Sequence, residues 1–283
     1  MKYQIILFCL LAYLISWGCK FLMVAPDTGL VSHVIPKGVL QLFAQFGPTI
    51  AGIIMMFVAG GRKALSALFR NLSRFNIRLK WYFFALMFEL ILFIIIAVIS
   101  DKMELAALAP GTINWLISFK NFLVNTVYLT LLTGLGEEIG WRGFLLPRLQ
   151  LRFQVIVCSI ILALINSLWH LRTTDIMILL TGDFSGFWSS FLPEMGLRIL
   201  ISVPVIFIIV YLFNKTKGSL VIMILYHGTS NASYEWIKEI TNIQDPSFVL
   251  PIFAGLLWLT SVFFIPALLR QEKNKELVTD LGQ

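Results

Sequence analysis

The sequence predicts an all-α polytopic membrane protein, and three observations carry that prediction. Of 283 residues, 58% are hydrophobic and only 13% charged, against about 25% charged in a soluble domain. Mean hydropathy is +0.86. Apolar runs of membrane-spanning length recur along the whole chain. With so little charge the chain cannot coat a globule of its size in polar surface. That excludes a soluble enzyme, a disordered chain and a nucleic-acid binder. The net charge of +7 needs no acidic partner, because Lys and Arg collect in the cytoplasmic loops of membrane proteins.

A spanning helix needs about 20 mostly apolar residues. Eight runs meet this, near 3–24, 39–59, 81–100, 122–146, 155–171, 197–213, 219–237 and 248–269. The first follows Lys2, as a signal peptide would, but it is too long for an h-region and no small-x-small site follows it. The fold expected is a bundle of eight transmembrane helices forming one integral membrane domain, 1–283. Its motif-bearing core lies at about 122–237, and a cytoplasmic tail at 270–283. Cys9, Cys19 and Cys158 fall inside apolar runs without metal-ligand spacing and read as packing residues.

Loop charge sets the expected orientation. The loop after the second run holds Arg62, Lys63, Arg70, Arg74, Arg78 and Lys80 and no acid. Arg148 and Arg152 follow the fourth run, Lys215 and Lys217 the sixth, and Arg270, Lys273 and Lys275 the last. The odd loops carry the acids Asp27, Asp101, Glu104, Asp175, Asp183, Glu194, Glu239 and Asp245. This alternation places both termini in the cytoplasm, in the plasma membrane, with the active site expected to open to that same side. Leu65, Leu68, Phe69, Leu72 and Phe75 fall at helical spacing among the arginines of the second loop. They predict a short helix lying in the membrane interface after the second span. Pro48, Pro204 and Pro266 should kink or end their helices.

Ionisable groups inside apolar runs are costly and mark function. Glu89 stands mid-run in the third helix, alone in sequence, where a protonated or interhelically hydrogen-bonded acid is the expectation. Lys20 lies near a helix end, from which it can reach the interface. The concentrated signal is Glu137-Glu138-x-x-x-Arg142 in the fourth run. An acid four residues before a base is the favourable order on one helix face, so Glu138 should pair with Arg142. Glu137, turned about 100° away, is left free. Gly134, Gly136, Gly140 and Gly143 would let other helices approach this stretch closely. Asn166-Ser-Leu-Trp-His170 ends the fifth run, and His227-x-x-x-Asn231 lies on one face of the seventh.

Two imidazoles, a free carboxylate and a carboxamide on three apolar helices suit one chemistry. A carboxylate beside an imidazole can hold a water, take its proton and direct it at a carbonyl. A second imidazole with a carboxamide can donate to the oxyanion that forms. Peptide hydrolysis within the membrane is the reaction these parts can perform. The His-Glu-x-x-His helix of zinc proteases and the Gly-x-Ser-x-Gly elbow are absent.

At these residues the chain resembles the CAAX-protease and bacteriocin-processing intramembrane proteases, which include the type II CAAX prenyl endopeptidases. Glu137-Glu138-x-x-x-Arg142 and His227-x-x-x-Asn231 match the family pattern. The middle motif departs from it, with Asn166 where the family has Phe four residues before His170. The resemblance spans about 131–236 and implies Glu137 and His170 as water activators, with His227 and Asn231 as the oxyanion site. It implies a membrane-associated peptide or a lipidated protein as substrate. No cofactor is expected; zinc is the alternative, with Glu137, His170 and His227 as its ligands. The competing readings are a proton-coupled transporter and a non-catalytic scaffold or immunity protein, but no repeat of two equivalent halves is seen. One count fits poorly. Glu137 lies about 16 Å of helix from Arg148, and His170 about 27 Å from Arg152, which would set the two residues at different depths.

Overall fold

The computed structural model describes residues 2–32, 35–103, 113–241 and 249–279, and among them regular structure is helical throughout, with no strand. Glu104, Asp245, Phe248 and the last four residues of the tail lie outside the described residues. In chain order the helices are α1 Lys2–Val24, α2 Lys37–Leu72, α3 Leu79–Lys102, α4 Trp115–Gln150, α5 Val155–Trp169, α6 Thr173–Leu180, α7 Phe184–Lys215, α8 Leu220–Thr241 and α9 Val249–Lys273.

Six of these, α1, α2, α3, α4, α7 and α9, are long and apolar enough to cross a membrane. Helices α5 and α6 meet the same test only as a pair, bent by 58°. The structure therefore gives six to seven such spans where the sequence predicts eight. The missing one is α8, whose hydropathy is lowered by Tyr226, His227, Thr229, Ser230, Asn231 and Ser233.

Helix α4 sits between α2 and α8, and its glycines set how closely. A Cβ on Gly140 would stand 2.1 Å from the Pro48 carbonyl of α2, and one on Gly134 only 2.4 Å from the Ile224 carbonyl of α8. Gly136 and Gly143 face Gln45 and Leu68 in the same way. Within α4 the stretches Thr130–Gly134 and Trp141–Leu145 wind as π-helix on either side of Leu135–Gly140, the turn that carries both glutamates. Such wide turns are rare and concentrate at functional sites.

The prolines do not end their helices. Pro48 has no N–H to give the Ala44 carbonyl, and Ser16 Oγ of α1 donates to that oxygen instead, at 2.7 Å. Pro204 leaves the Leu200 carbonyl, which accepts from Trp258 Nε1 of α9 at 2.9 Å. Neighbouring helices thus supply the donors that proline removes, as a lipid-embedded backbone requires.

The real interruption in α2 is Gly60-Gly61, where Gly61 takes φ 58° and ψ −146°. Beyond it a short helical segment follows, as the pattern after the second span predicts. Its buried face, however, is Ala64, Ala67 and Leu68, while Phe69 and Phe75 point outward.

Candidate active site

A cavity of 590 Å³ opens between α2, α3, α4, α5, α7, α8 and α9. Glu137, His170, His227 and Asn231 all line it, together with Asn166, Gln45 and Glu89. The depth problem raised by the sequence disappears once the helix ends are known. Glu137 and His170 lie at nearly equal sequence distances from the turn at 151–154 that joins α4 to α5.

The two adjacent glutamates have different surroundings. Glu138 is fully buried, and its Oε1 accepts from Arg142 Nη1 at 2.7 Å, the ion pair expected from their spacing. The same oxygen meets His227 Nδ1 at 2.7 Å. An ionised carboxylate can only accept, so the Nδ1 proton faces Glu138 and the imidazole is oriented by it. The other ring nitrogen, Nε2, lies 3.7 Å from Glu137 Oε1. Glu137 carries no Arg or Lys partner, but it is not free as expected from sequence. Gln45 Nε2 donates to its Oε1 at 2.8 Å and Trp141 Nε1 to its Oε2 at 3.3 Å. These neutral donors fix the carboxylate without cancelling its charge. Asn231 Nδ2 donates to Thr133 Oγ1 at 2.9 Å, which uses one of its two N–H donors.

His170 follows the last residue of α5 and is placed through its neighbour. Trp169 Nε1 donates to Ser16 Oγ at 2.7 Å, the same hydroxyl that satisfies Ala44 above Pro48. The Trp169 carbonyl accepts from Trp17 Nε1 at 3.1 Å, and the Leu171 carbonyl from Lys20 Nζ at 2.8 Å. Lys20 is therefore not merely reaching for the interface; it caps the end of α5. The His170 ring stands edge-on to Trp169 at 4.8 Å, and among the described residues no side chain hydrogen-bonds to it.

Glu89 has partners after all. Tyr226 and Ser230, both on α8, donate their hydroxyls to its two oxygens, the interhelical bonding foreseen for a buried acid. Sequence reasoning missed Gln45, Trp141 and Thr133, and also Arg198 and Glu194, which meet at 3.5 Å on the cavity wall. A search confined to ionisable groups in apolar runs passes over Gln45, although an amide in the middle of a span is itself a signal.

Among the described residues no three His, Cys, Asp or Glu side chains stand close enough together to hold a metal ion. The alternative zinc set of Glu137, His170 and His227 does not fit this geometry. Glu138 is occupied by a guanidinium and an imidazole, and no step is routed through a metal.

A carboxylate held by neutral donors, with an imidazole across the same cavity and a second imidazole fixed by its own carboxylate, is an acid–base site for attack by water. Residues 119–233 match the family described as type II CAAX prenyl endopeptidase Rce1-like. The resemblance to the CAAX-protease and bacteriocin-processing family is borne out. CAAX prenyl protease 2 of Methanococcus maripaludis is 27% identical over 145 residues, 50% of this chain and 51% of that protein. The chain thus spans about half the length of the curated relative it matches. The Rce1-like region contains all six motif residues, from Glu137 to Asn231, but Gln45 and Glu89 reach the cavity from α2 and α3, outside it.

Proposed function

We propose that the protein is an intramembrane endopeptidase that hydrolyses a peptide bond in a membrane-associated substrate, lipidated or plain. The observation that carries this reading is the division of labour between the adjacent glutamates. Glu138 is committed to Arg142 and His227, while Glu137 reaches the cavity that His170 also lines.

In this mechanism Glu137, held by Gln45 and Trp141, takes a proton from a water that His170 helps to orient. The water oxygen bonds to the scissile carbonyl carbon, and the carbonyl oxygen becomes an oxyanion. The free N–H of Asn231 and Nε2–H of His227 donate to that oxyanion. Because Nδ1–H already faces Glu138, His227 must carry protons on both nitrogens to play this part. The C–N bond then breaks as the proton taken from water passes to the leaving amine.

The bundle counts eight crossings in this reading, with α8 and the bent α5–α6 pair each crossing among packed neighbours. The segment after Gly61 lies in the membrane interface, and the basic even-numbered loops and both termini are cytoplasmic. The chain is one membrane domain. The test is purified protein incubated with internally quenched peptides, plain and prenylated, with products identified by mass spectrometry. Cleavage at an internal bond of either kind is expected. Intact peptides in both sets, with folded protein, contradict the reading.

A further inference from the structure

The cavity of Glu137 and His170 lies toward one end of the bundle, and it is not the end at which the basic loops gather. Three helices show this directly. Helix α2 gives Gln45 to the cavity and Arg70 to a separate 320 Å³ cavity lined also by Arg74, Lys217 and Lys275. Helix α7 gives Glu194 to the first and Asn214 to the second. Helix α9 gives Leu250, its second residue, to the first, and Lys275 follows its last turn at the second. From Glu194 to Asn214 is twenty residues, about 30 Å of helix, which is the thickness of a bilayer's hydrocarbon core.

The other lining residues agree. His170 follows the end of α5, and Asn166 is in its last turn. All these helix ends lead into the loops that carry the acids. At the mouth both signs of charge are present, with Arg172 bound to Asp175 at 2.7 Å and to Glu194 at 3.3 Å. The even end carries Arg62, Lys63, Arg70, Arg74, Arg78 and Lys80 in one loop alone. The rule that keeps such loops in the cytoplasm therefore turns the catalytic cavity away from it. Cytoplasmic termini and a cytoplasmic active-site opening, both expected from sequence, do not combine in this geometry.

We propose that the cavity opens to the non-cytoplasmic side, and that its substrate is a peptide segment presented from there. That segment belongs to an exported peptide or to the outward-exposed stretch of a membrane-inserted one. The wall opposite Glu137 is apolar along α7 and α9, with Leu197, Ile201, Val205, Leu250 and Phe253. A segment with an apolar stretch beside the cut bond matches that wall. A lipidated C-terminus lying on the cytoplasmic surface would be separated from the site by about half the bilayer. The substrate class rests on the protease reading; the side of opening does not.

The test uses single cysteines at Leu250 and Lys217, introduced where Cys9, Cys19 and Cys158 have been replaced by Ser, Ser and Ala. Intact cells are treated with a membrane-impermeant maleimide. Leu250→Cys should be labelled at once and Lys217→Cys only after permeabilisation. The reverse pattern overturns the inference whatever the enzyme cleaves. Should the replacements impair folding, trypsin on the unaltered protein decides the same question. Cleavage at Lys215 or Lys217 in inverted but not right-side-out vesicles is expected, and the opposite contradicts it. The internally quenched peptide added to right-side-out vesicles should be cut without detergent, and Glu137→Gln should abolish the signal. Outside labelling at Leu250 with no cleavage even in detergent would leave the opening established and remove the protease reading alone.

Discussion

Glu138 Oε1 accepts from Arg142 and from His227 at 2.7 Å each, while Glu138 Oε2 and Arg142 Nε are buried without a partner among the described residues. A pair so placed resists loss of one member more than loss of both, since a lone buried charge is the costly state. Glu138→Gln should therefore lower stability by about 3–5 kcal/mol and free the His227 ring. The double variant with Arg142→Gln should be less damaged than the two effects added, as read from melting temperatures in a double-mutant cycle. Gln45→Leu removes one of the two donors to Glu137. Hydrogen bonds to charged groups contribute about 1.5–3 kcal/mol, so kcat should fall about tenfold to a hundredfold with melting temperature little changed. An unaltered kcat would remove Gln45 from the site.

At the scale of the element, the approach of α2 and α8 to α4 depends on missing side chains. Gly140→Ala places a Cβ against the Pro48 carbonyl, backbone that cannot step aside, and should prevent folding or cost several kcal/mol, as overpacking does at about 1–3 kcal/mol or more. Gly196→Ala, on α7 with nothing within 4 Å, should instead stabilise by about 0.5–1 kcal/mol. Thermal melts of the two variants in one detergent compare them. Ser16 is the hinge of a longer chain of contacts, from the proline-freed Ala44 carbonyl to Trp169 beside His170. Ser16→Ala leaves two buried polar groups unmatched and should cost about 1–3 kcal/mol. It should also lower turnover, because the end of α5 loses an anchor. The sequence shows the helices themselves, the four glycines and the Glu138–Arg142 spacing, because each follows from helical periodicity. It does not show the π-turns flanking the glutamates, which no residue pattern encodes. Nor does it show the donors on Glu137 and Glu89, which come from helices far apart in sequence.

Over the whole molecule, the legible feature is the alternation of charge between loops, and the illegible one is which end of the bundle holds the cavity. Motif spacing locates Glu137, His170 and His227 along their helices but not relative to Arg70, because that needs the packing of α2, α7 and α9. The basic end is closed by the chain's own tail. Lys215 bonds Glu276 at 2.6 Å, and the Val278 N–H donates to Asn214 Oδ1 at 3.2 Å. The Lys215 hydrogen bond holds the Glu276 carboxyl below its ordinary value. A depressed acid stabilises the folded state above its unfolded pKa and loses that contribution as pH falls through the folded one. Deuterium uptake over 276–279, corrected for intrinsic exchange, should rise in acid below the usual carboxylate range and should rise also with salt. Uptake independent of both would detach the tail from this contact.

The central claim is that Glu137 is the base and Glu138 the support. The direct measurement is peptide turnover by Glu137→Gln and Glu138→Gln, each with its melting temperature. Glu137→Gln should lose about 10²–10⁴ in rate with a wild-type melt, while Glu138→Gln should melt early and lose activity in step with its fold. A stable but inactive Glu138→Gln beside an active Glu137→Gln would contradict the account.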